Sequence, residues 1–309
     1  MKLRQIKQHG AAGRRGGRAV APVVRASAPA WSARQARAMG GQAMLRAMLA
    51  NCLAQILPNA AAIALGSDDA EHVHQLRVGL RRLRSAARGM RPFAACLPAG
   101  WERAIRPVFE ALGDVRDKHE RAALLAPRLR AAGAPVDGLG GPSEEDAKRL
   151  RELVRAPELQ AMLRQLQACS QVLEDDARGD AGSGFARLKR QLRRLTRQVT
   201  RAARRFDKLS FAQQHRVRKR LKRLRYLAEF AAPAFDRDAV DAWMAKASRA
   251  QERLGKRIDL ALAARDFAAR VQSDPAAGVA AGWLRAKAQA STRKARKSLR
   301  RLRDARVFW

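Results

Sequence analysis

Residues 74–84 read His-Gln-Leu-Arg-Val-Gly-Leu-Arg-Arg-Leu-Arg, and this stretch carries two periodic patterns at once. Its leucines recur at intervals of three and four and continue downstream, which is typical of the apolar seam of a helix in a bundle. The seam is Leu76, Leu80, Leu83, Ala87 and Met90. A basic row runs one position further along, through His74, Arg77, Arg81, Arg84, Arg88 and Arg91. Successive residues are about 100° apart on a helix, so the row is predicted on the flank of the seam and away from the far solvent face.

The same arrangement recurs 141 residues later, which indicates an internal repeat. The second seam is Val217, Leu221, Leu224 and Ala228, and its basic row is His215, Arg218, Lys222 and Arg225. A Leu-Gly pair followed by an aspartate comes after each row, as Leu112-Gly113 with Asp117 and as Leu254-Gly255 with Asp259. A third basic row, without a histidine, lies on the segment 185–207 and consists of Arg187, Arg190, Arg194, Arg197, Arg201 and Arg204.

Such rows are costly for a helix on its own. Like charges three or four residues apart destabilise a helix by roughly 0.2–0.5 kcal/mol per pair, and a bound polyanion reverses the sign of that effect. Arginine suits phosphate because its planar guanidinium can hold two oxygens. A solvated face whose arginine stems cover apolar edges is the alternative. It explains one row more readily than a matched pair headed by histidine.

Composition favours the same class of ligand. The 309 residues hold 64 Lys and Arg against 28 Asp and Glu, a formal charge of +36, so a dense polyanion is the natural partner. Aromatic residues make up only 5% of the chain, which favours helices over sheets. The three cysteines are far apart and predict neither a zinc site nor disulfides, which favours a reducing, cytoplasmic location. The sequence has no run of about 18 apolar residues, so no membrane span is predicted.

The pattern predicts an all-α fold with no strand. A basic, disordered arm is expected over 1–32, a first helical bundle over 33–178 and a second over 179–309. Helices are predicted over 34–57, 69–91, 100–131, 144–155, 158–177, 185–207, 211–231, 237–272 and 279–307. Capping boxes are expected at Asp68 with Glu71 and at Ser210 with Gln213.

Several segments resemble the CHAD family, the conserved histidine α-helical domain. They are residues 74–84, residues 215–229, the Leu-Gly-Asp-Val-Arg-Asp element at 112–117 and the closing residues 302–309, and the resemblance extends over about 35–309. It implies two pseudo-symmetric four-helix bundles with a basic central channel, binding of inorganic polyphosphate and attachment to polyphosphate granules in bacteria. The phosphate-contacting positions would be His74, Arg77, Arg81, Arg84, His215, Arg218, Lys222 and Arg225. The second Leu-Gly element departs from the family pattern, because Ile258 stands where an asparagine is usual.

The function expected is non-catalytic binding of inorganic polyphosphate, which phosphate or sulfate can mimic, with no cofactor, metal or membrane. The expected site adds Arg88, Arg190, Arg194 and Arg197 to the eight positions above. The alternative is a histone-like protein that binds nucleic acid without sequence preference. An enzyme acting on phosphoanhydrides would need Mg²⁺-binding carboxylates, and the basic rows carry almost none. Asp114, Asp117 and His119 are interpreted as structural ion-pairing residues, with Asp117 orienting an arginine of the row.

Overall fold

Apolar seams at helical spacing organise the part of the chain that the computed structural model describes. This part comprises residues 22–171, apart from 132, 134, 135, 137 and 138, and residues 182–309. It contains α1 (Ala33–Ala38), α2 (Gly41–Ala64), α3 (Ala70–Gly89), α4 (Trp101–Glu120), α5 (Ala126–Arg130), α6 (Glu144–Arg155), α7 (Pro157–Gln171), α8 (Ser183–Arg204), α9 (Phe211–Ala231), α10 (Arg237–Ala268) and α11 (Ala277–Arg303). There is no strand within these residues, so the prediction of an all-α fold is confirmed.

The two predicted helix starts differ in their outcome. At α9 the capping box is confirmed: the Ser210 hydroxyl accepts a hydrogen bond from the Gln213 amide, and the Gln213 side chain accepts one from the Ser210 amide. At α3 the predicted cap is one residue early, because Asp69 rather than Asp68 accepts the bond from the Glu71 amide, at 2.7 Å. The Ser67 hydroxyl accepts a bond from the Asp69 amide and so fixes the turn before the helix.

The predicted helix over 34–57 is wrong at two points. It breaks at Met39 and Gly40, where α8 comes so close that a Cβ on Gly184 would lie 2.5 Å from the Gly40 carbonyl oxygen. It also continues through Pro58 to Ala64. Proline normally removes a helical hydrogen bond, but Ala60 and Ile63 beyond it are buried in the core, and this burial favours continuation.

Helix α2 is the centre of the main core. Leu45, Leu49 and Ile56 are fully buried, and the helix packs against α3, α6, α7 and α8. The core is shared by residues on both sides of the predicted boundary at 178/179. A smaller cluster joins α5 to α10 and α11, around Leu129, Phe267 and Leu284. The division into two pseudo-symmetric bundles stays a prediction.

By length and composition, α2 is also the one described helix that is long and apolar enough to cross a membrane. More than half of its most apolar window, 56%, is buried inside the protein. Its buried Gln55 donates hydrogen bonds to the Gln75 carbonyl and side chain, and its Asn59 donates one to the Val24 carbonyl. We therefore describe α2 as a core helix.

Residues 22–32, the last part of the predicted arm, lie against this core without forming a helix. The Val24 carbonyl accepts a bond from Asn59, and the Ser27 carbonyl accepts one from Arg82 at 2.9 Å. Trp31 is buried. The rest of the predicted arm, residues 1–21, lies outside the described residues.

Candidate functional site

Helices α3 and α9, which carry the two repeated rows, pack against each other and bring four basic side chains together. We call Arg77, Arg81, Arg218 and Lys222 the central cluster. Burial, followed by the charges of Arg81 and Arg218, lowers the pKa of Lys222 to about 6. Burial, followed by the charge of Arg81, lowers the pKa of Arg77 to about 10. The two rows therefore form one site in which residues from both halves of the sequence feel each other's charge.

Three arginines of the first row lie close to one aromatic ring on α4. The guanidinium groups of Arg77, Arg81 and Arg84 lie 5.4, 5.7 and 5.0 Å from the centroid of Phe109. Cation–π attraction to one ring offsets part of the repulsion among three like charges. Sequence reasoning missed Phe109, although it lies three residues before the Leu-Gly pair that marks this helix.

The two Leu-Gly pairs make room for equivalent arginines. A Cβ on Gly113 would lie 2.5 Å from Nη1 of Arg77, and a Cβ on Gly255 would lie 3.5 Å from Nε of Arg218. Any side chain at Gly113 would displace the Arg77 guanidinium, whereas Gly255 leaves a normal van der Waals distance. The repeated Leu-Gly pair therefore places a glycine against the first arginine of each row.

Several nitrogen atoms in this site are buried and have no hydrogen-bond partner among the described residues. Nε and Nη1 of Arg77 and Nε of Arg218 are donors, and Nδ1 of His74 can donate or accept, depending on its tautomer. Buried polar groups are normally hydrogen-bonded, and a buried donor without a partner costs roughly 1–3 kcal/mol. Unpaired nitrogens of this kind, in a cluster of four converging basic side chains, are suited to a ligand that supplies many anionic oxygens.

Carboxylates reach the central cluster from helices that do not carry the rows. Asp259 of α10 lies 3.3 Å from Nη2 of Arg218, and Asp117 of α4 opposes the fall in the pKa of Arg77. Glu120 of α4 is bonded to Arg116. The described residues include no group of three or more His, Cys, Asp or Glu side chains that could hold a metal ion. The sequence predicts Asp117 beside an arginine of the row, but it predicts neither Glu120 nor the ion pair between Asp259 and Arg218.

The two row-heading histidines are less basic than a free histidine. Burial, followed by the charge of Arg116, lowers the pKa of His74. Burial, followed by the charges of Lys219 and Arg218, lowers the pKa of His215. At neutral pH both rings are therefore mainly neutral and can donate or accept a hydrogen bond, but they add little positive charge.

The rows are anchored at their far ends by ion pairs. Glu102 lies 2.9 Å from Arg88 and 3.6 Å from Arg84, so Arg88, an expected site residue, is already partly neutralised. In the other row, Arg225 is bonded to Glu229 and, at 3.0 Å, to Gln251.

Glu229 also joins the rows to the core. It lies 3.6 Å from Arg82, whose side chain is only 1% exposed. Arg82 donates to Asn51 and Gln55 of α2 and lies 5.0 Å from the Phe230 ring. Since Arg82 belongs to α3 and Glu229 to α9, this buried network fixes the two row-bearing helices relative to each other.

The third row does not join the central cluster. Arg194 and Arg197 line a separate groove between α8 and α9, and Arg190 is exposed one turn earlier on α8. Of the twelve expected positions, the structure brings Arg77, Arg81, Arg218 and Lys222 within range of each other's charge. The same two helices also carry His74, Arg84, His215 and Arg225. Arg88 lies at the end of its row on α3, and the three α8 residues lie elsewhere.

Comparison with known proteins identifies the class of this fold and site. The family model for the CHAD domain matches residues 47–268, which are 222 of the 309 residues. The chain therefore belongs to the CHAD domain family. A solved structure, the crystal structure of the CHAD domain from the plant Ricinus communis, has the same fold with a TM-score of 0.69. It is 24% identical, and the match covers 92% of this chain and 99% of the plant chain. The search of curated proteins found no match.

Membership agrees with the resemblance that the His-headed rows suggested, in a family associated with polyphosphate binding. Neither the family description nor that of the plant structure names a catalysed reaction.

Proposed function

We propose that this protein binds inorganic polyphosphate, without catalysis, through the central cluster. The observation that carries the proposal is the convergence of Arg77, Arg81, Arg218 and Lys222 from two repeated helices, with buried donors that have no protein partner. A phosphate chain supplies closely spaced anionic oxygens and has no bases. It therefore needs less space between packed helices than a nucleic-acid duplex does.

The test is the double variant Arg77→Gln plus Arg218→Gln, assayed for polyphosphate binding at fixed salt. Each substitution removes charge-assisted hydrogen bonds worth roughly 1.5–3 kcal/mol, so affinity should fall roughly 100-fold or more. The control is Arg249→Gln plus Arg301→Gln, which removes the same charge from a cavity between α10 and α11. It should change affinity by less than about threefold. Equal losses in the two variants would show that binding depends only on total charge.

Competition separates polyphosphate from nucleic acid. Polyanion affinity depends on salt, so both competitors must be compared at one ionic strength. We expect long-chain polyphosphate to displace a labelled polyphosphate far more effectively than duplex DNA of equal phosphate concentration. Displacement by DNA at equal concentration would support the histone-like alternative, for which the formal charge of +36 is the main argument.

Absence of catalysis is part of the proposal. Phosphoanhydride chemistry relies on divalent ions held by carboxylates. Two of the carboxylates beside the cluster, Asp259 and Glu120, are engaged by Arg218 and Arg116. Phosphate release from polyphosphate above background in the presence of Mg²⁺ would contradict this part of the proposal.

Such binding implies that the protein lies in the cytoplasm, attached to polyphosphate granules. A fluorescent fusion should co-localise with granules in a polyphosphate-accumulating bacterium, and the Arg77→Gln plus Arg218→Gln variant should be diffuse. A variant that stays on granules would show that recruitment does not depend on the central cluster.

A further inference from the structure

A second basic cavity lies between α8 and α9, outside the central cluster. It is a groove of about 760 Å³. Its cations include Arg194, Arg197 and Arg201 of α8, Arg205 just after that helix, and Arg216 and Arg220 of α9. None of the described residues that line it is acidic or aromatic. Asp207, in the short turn between the two helices, is bonded instead to Arg296 of α11.

The groove faces the opposite side of α9 from the central cluster. Arg216 and Arg218 are two residues apart, as are Arg220 and Lys222, so the members of each pair point about 200° apart around the helix. Val217, Leu221 and Leu224 are buried along the helix. Helix α9 therefore carries one basic surface towards α3 and another towards α8, and the sequence analysis found only the first.

Arg223 connects the two basic surfaces. Burial, followed by the charges of Arg88 and Arg194, lowers the pKa of Arg223. Arg88 is the far end of the α3 row, and Arg194 is part of the groove. Arg223 therefore lies close enough to feel the charge of both Arg88, which Glu102 partly neutralises, and Arg194 of the groove.

The chemistry of the groove selects its ligand. Single-stranded nucleic acids are normally held by aromatic side chains that stack on the bases, and this groove has none among its described lining residues. Arginines at spacings of three and four, with no acid among the described lining residues, are suited to a ligand made of phosphates alone. From Arg194 to Arg201 the helical wall of the groove is about 10 Å long, and the α3 row from Arg77 to Arg88 is about 16 Å long.

We infer that the α8–α9 groove is a second binding site for the phosphate chain, and that a long chain occupies both sites by passing Arg88 and Arg223. This inference rests on the proposed function and adds a chain-length preference to it. A short chain occupies the central cluster, where the buried donors are. A long chain gains the second site at high effective concentration, so it binds more tightly without any new contact in the cluster.

The experiment compares tripolyphosphate with a long polyphosphate fraction at one salt concentration. The groove variant is Arg201→Gln, Arg216→Gln and Arg220→Gln, and the charge-matched control is Lys246→Gln, Arg249→Gln and Arg301→Gln. In the groove variant, affinity for long chains should fall about tenfold or more, while affinity for tripolyphosphate stays within about twofold. The control should preserve both affinities, and unchanged thermal melting should confirm that each variant is folded.

Two results would overturn the inference. One is a long-chain affinity that falls no further in the groove variant than in the control. The other is a groove variant that loses binding of a single-stranded oligonucleotide and keeps that of long polyphosphate. Failure of the proposed function has a different signature, because tripolyphosphate binding would then survive Arg77→Gln plus Arg218→Gln whatever the groove variant does.

Discussion

Lys222 should take up a proton when the central cluster binds polyphosphate. Its pKa is lowered from 10.5 to about 6, first by burial and then by Arg81 and Arg218, and only Asp259 opposes these effects among the charges that face it. At pH 7.5, Lys222 is therefore mainly uncharged in the free protein. Phosphate oxygens placed beside the amine favour its ammonium form and move the pKa back towards the ordinary value. Binding should then be coupled to the uptake of close to one proton.

Isothermal titration calorimetry in two buffers measures this uptake directly. At equal pH and salt, the observed enthalpy varies with the ionisation enthalpy of the buffer, and the slope is the number of protons taken up. The Lys222→Arg variant is the decisive comparison, because arginine stays charged and can still bind phosphate. Its slope should be smaller by close to one proton, with affinity retained.

The two histidines are accounted for in this comparison. Because the pKa values of His74 and His215 are also lowered, these rings can take up protons as well when phosphate binds. They do so equally in the wild type and in the Lys222→Arg variant. The difference between the slopes therefore isolates Lys222. A wild-type slope of zero, or equal slopes in the two proteins, would refute the assignment of a neutral Lys222 to the free site.

Three further predictions follow from the same geometry. Lys222→Met should raise the melting temperature at pH 7 in circular dichroism, by the equivalent of about 1–3 kcal/mol, while it weakens polyphosphate binding. The sign follows from the lowered pKa. Between pH 6 and the ordinary lysine pKa, Lys222 is protonated in the unfolded chain but not in the folded protein. It therefore destabilises the fold in this range, and the destabilisation decreases as the pH rises. Gly113→Ala should lower affinity about threefold to tenfold by displacing Arg77, with stability unchanged or up to about 1 kcal/mol higher, whereas Gly255→Ala should keep its affinity. Equal affinities in a fluorescence titration of the two alanine variants would contradict the role of the Gly113 pocket. Arg82→Met should cost about 3–5 kcal/mol in urea unfolding, because it leaves Glu229 buried near the core without one of its partners, and a loss below about 1 kcal/mol would argue against the network.

The sequence predicts the rows well because a row is a local property. The spacing of His74 and Arg77 places them on one flank of a helix whatever that helix packs against, and the repeat at His215 and Arg218 identifies the equivalent flank. The Ser210 cap is equally local. These features depend on residues within a few turns of each other, where helical geometry alone decides position.

Pairing between rows is a tertiary property and was not predictable in the same way. The α8 row has the same spacing as the α3 row, yet only α3 meets the histidine-bearing flank of α9. Arg194 lies in a groove with Arg216 instead, which spacing alone does not reveal. Asp259, the ring of Phe109 and the continuation of α2 through Pro58 also depend on which helix packs against which.

The two halves of the internal repeat match at the centre of the site but differ at its ends. The two ends of the site are therefore not equivalent for a bound phosphate chain. Arg77 and Arg218 rest on equivalent glycines. Further along, the position 141 residues after Arg88 is Glu229, which neutralises Arg225 and ends the second row. The first row continues to Arg88, beside Arg223 and the α8 groove. A phosphate chain leaving the cluster along α9 meets Glu229, whereas one leaving along α3 meets Arg84 and Arg88, which share the single carboxylate of Glu102, and then Arg223. The departure from the repeat therefore favours one exit for the chain, towards α8.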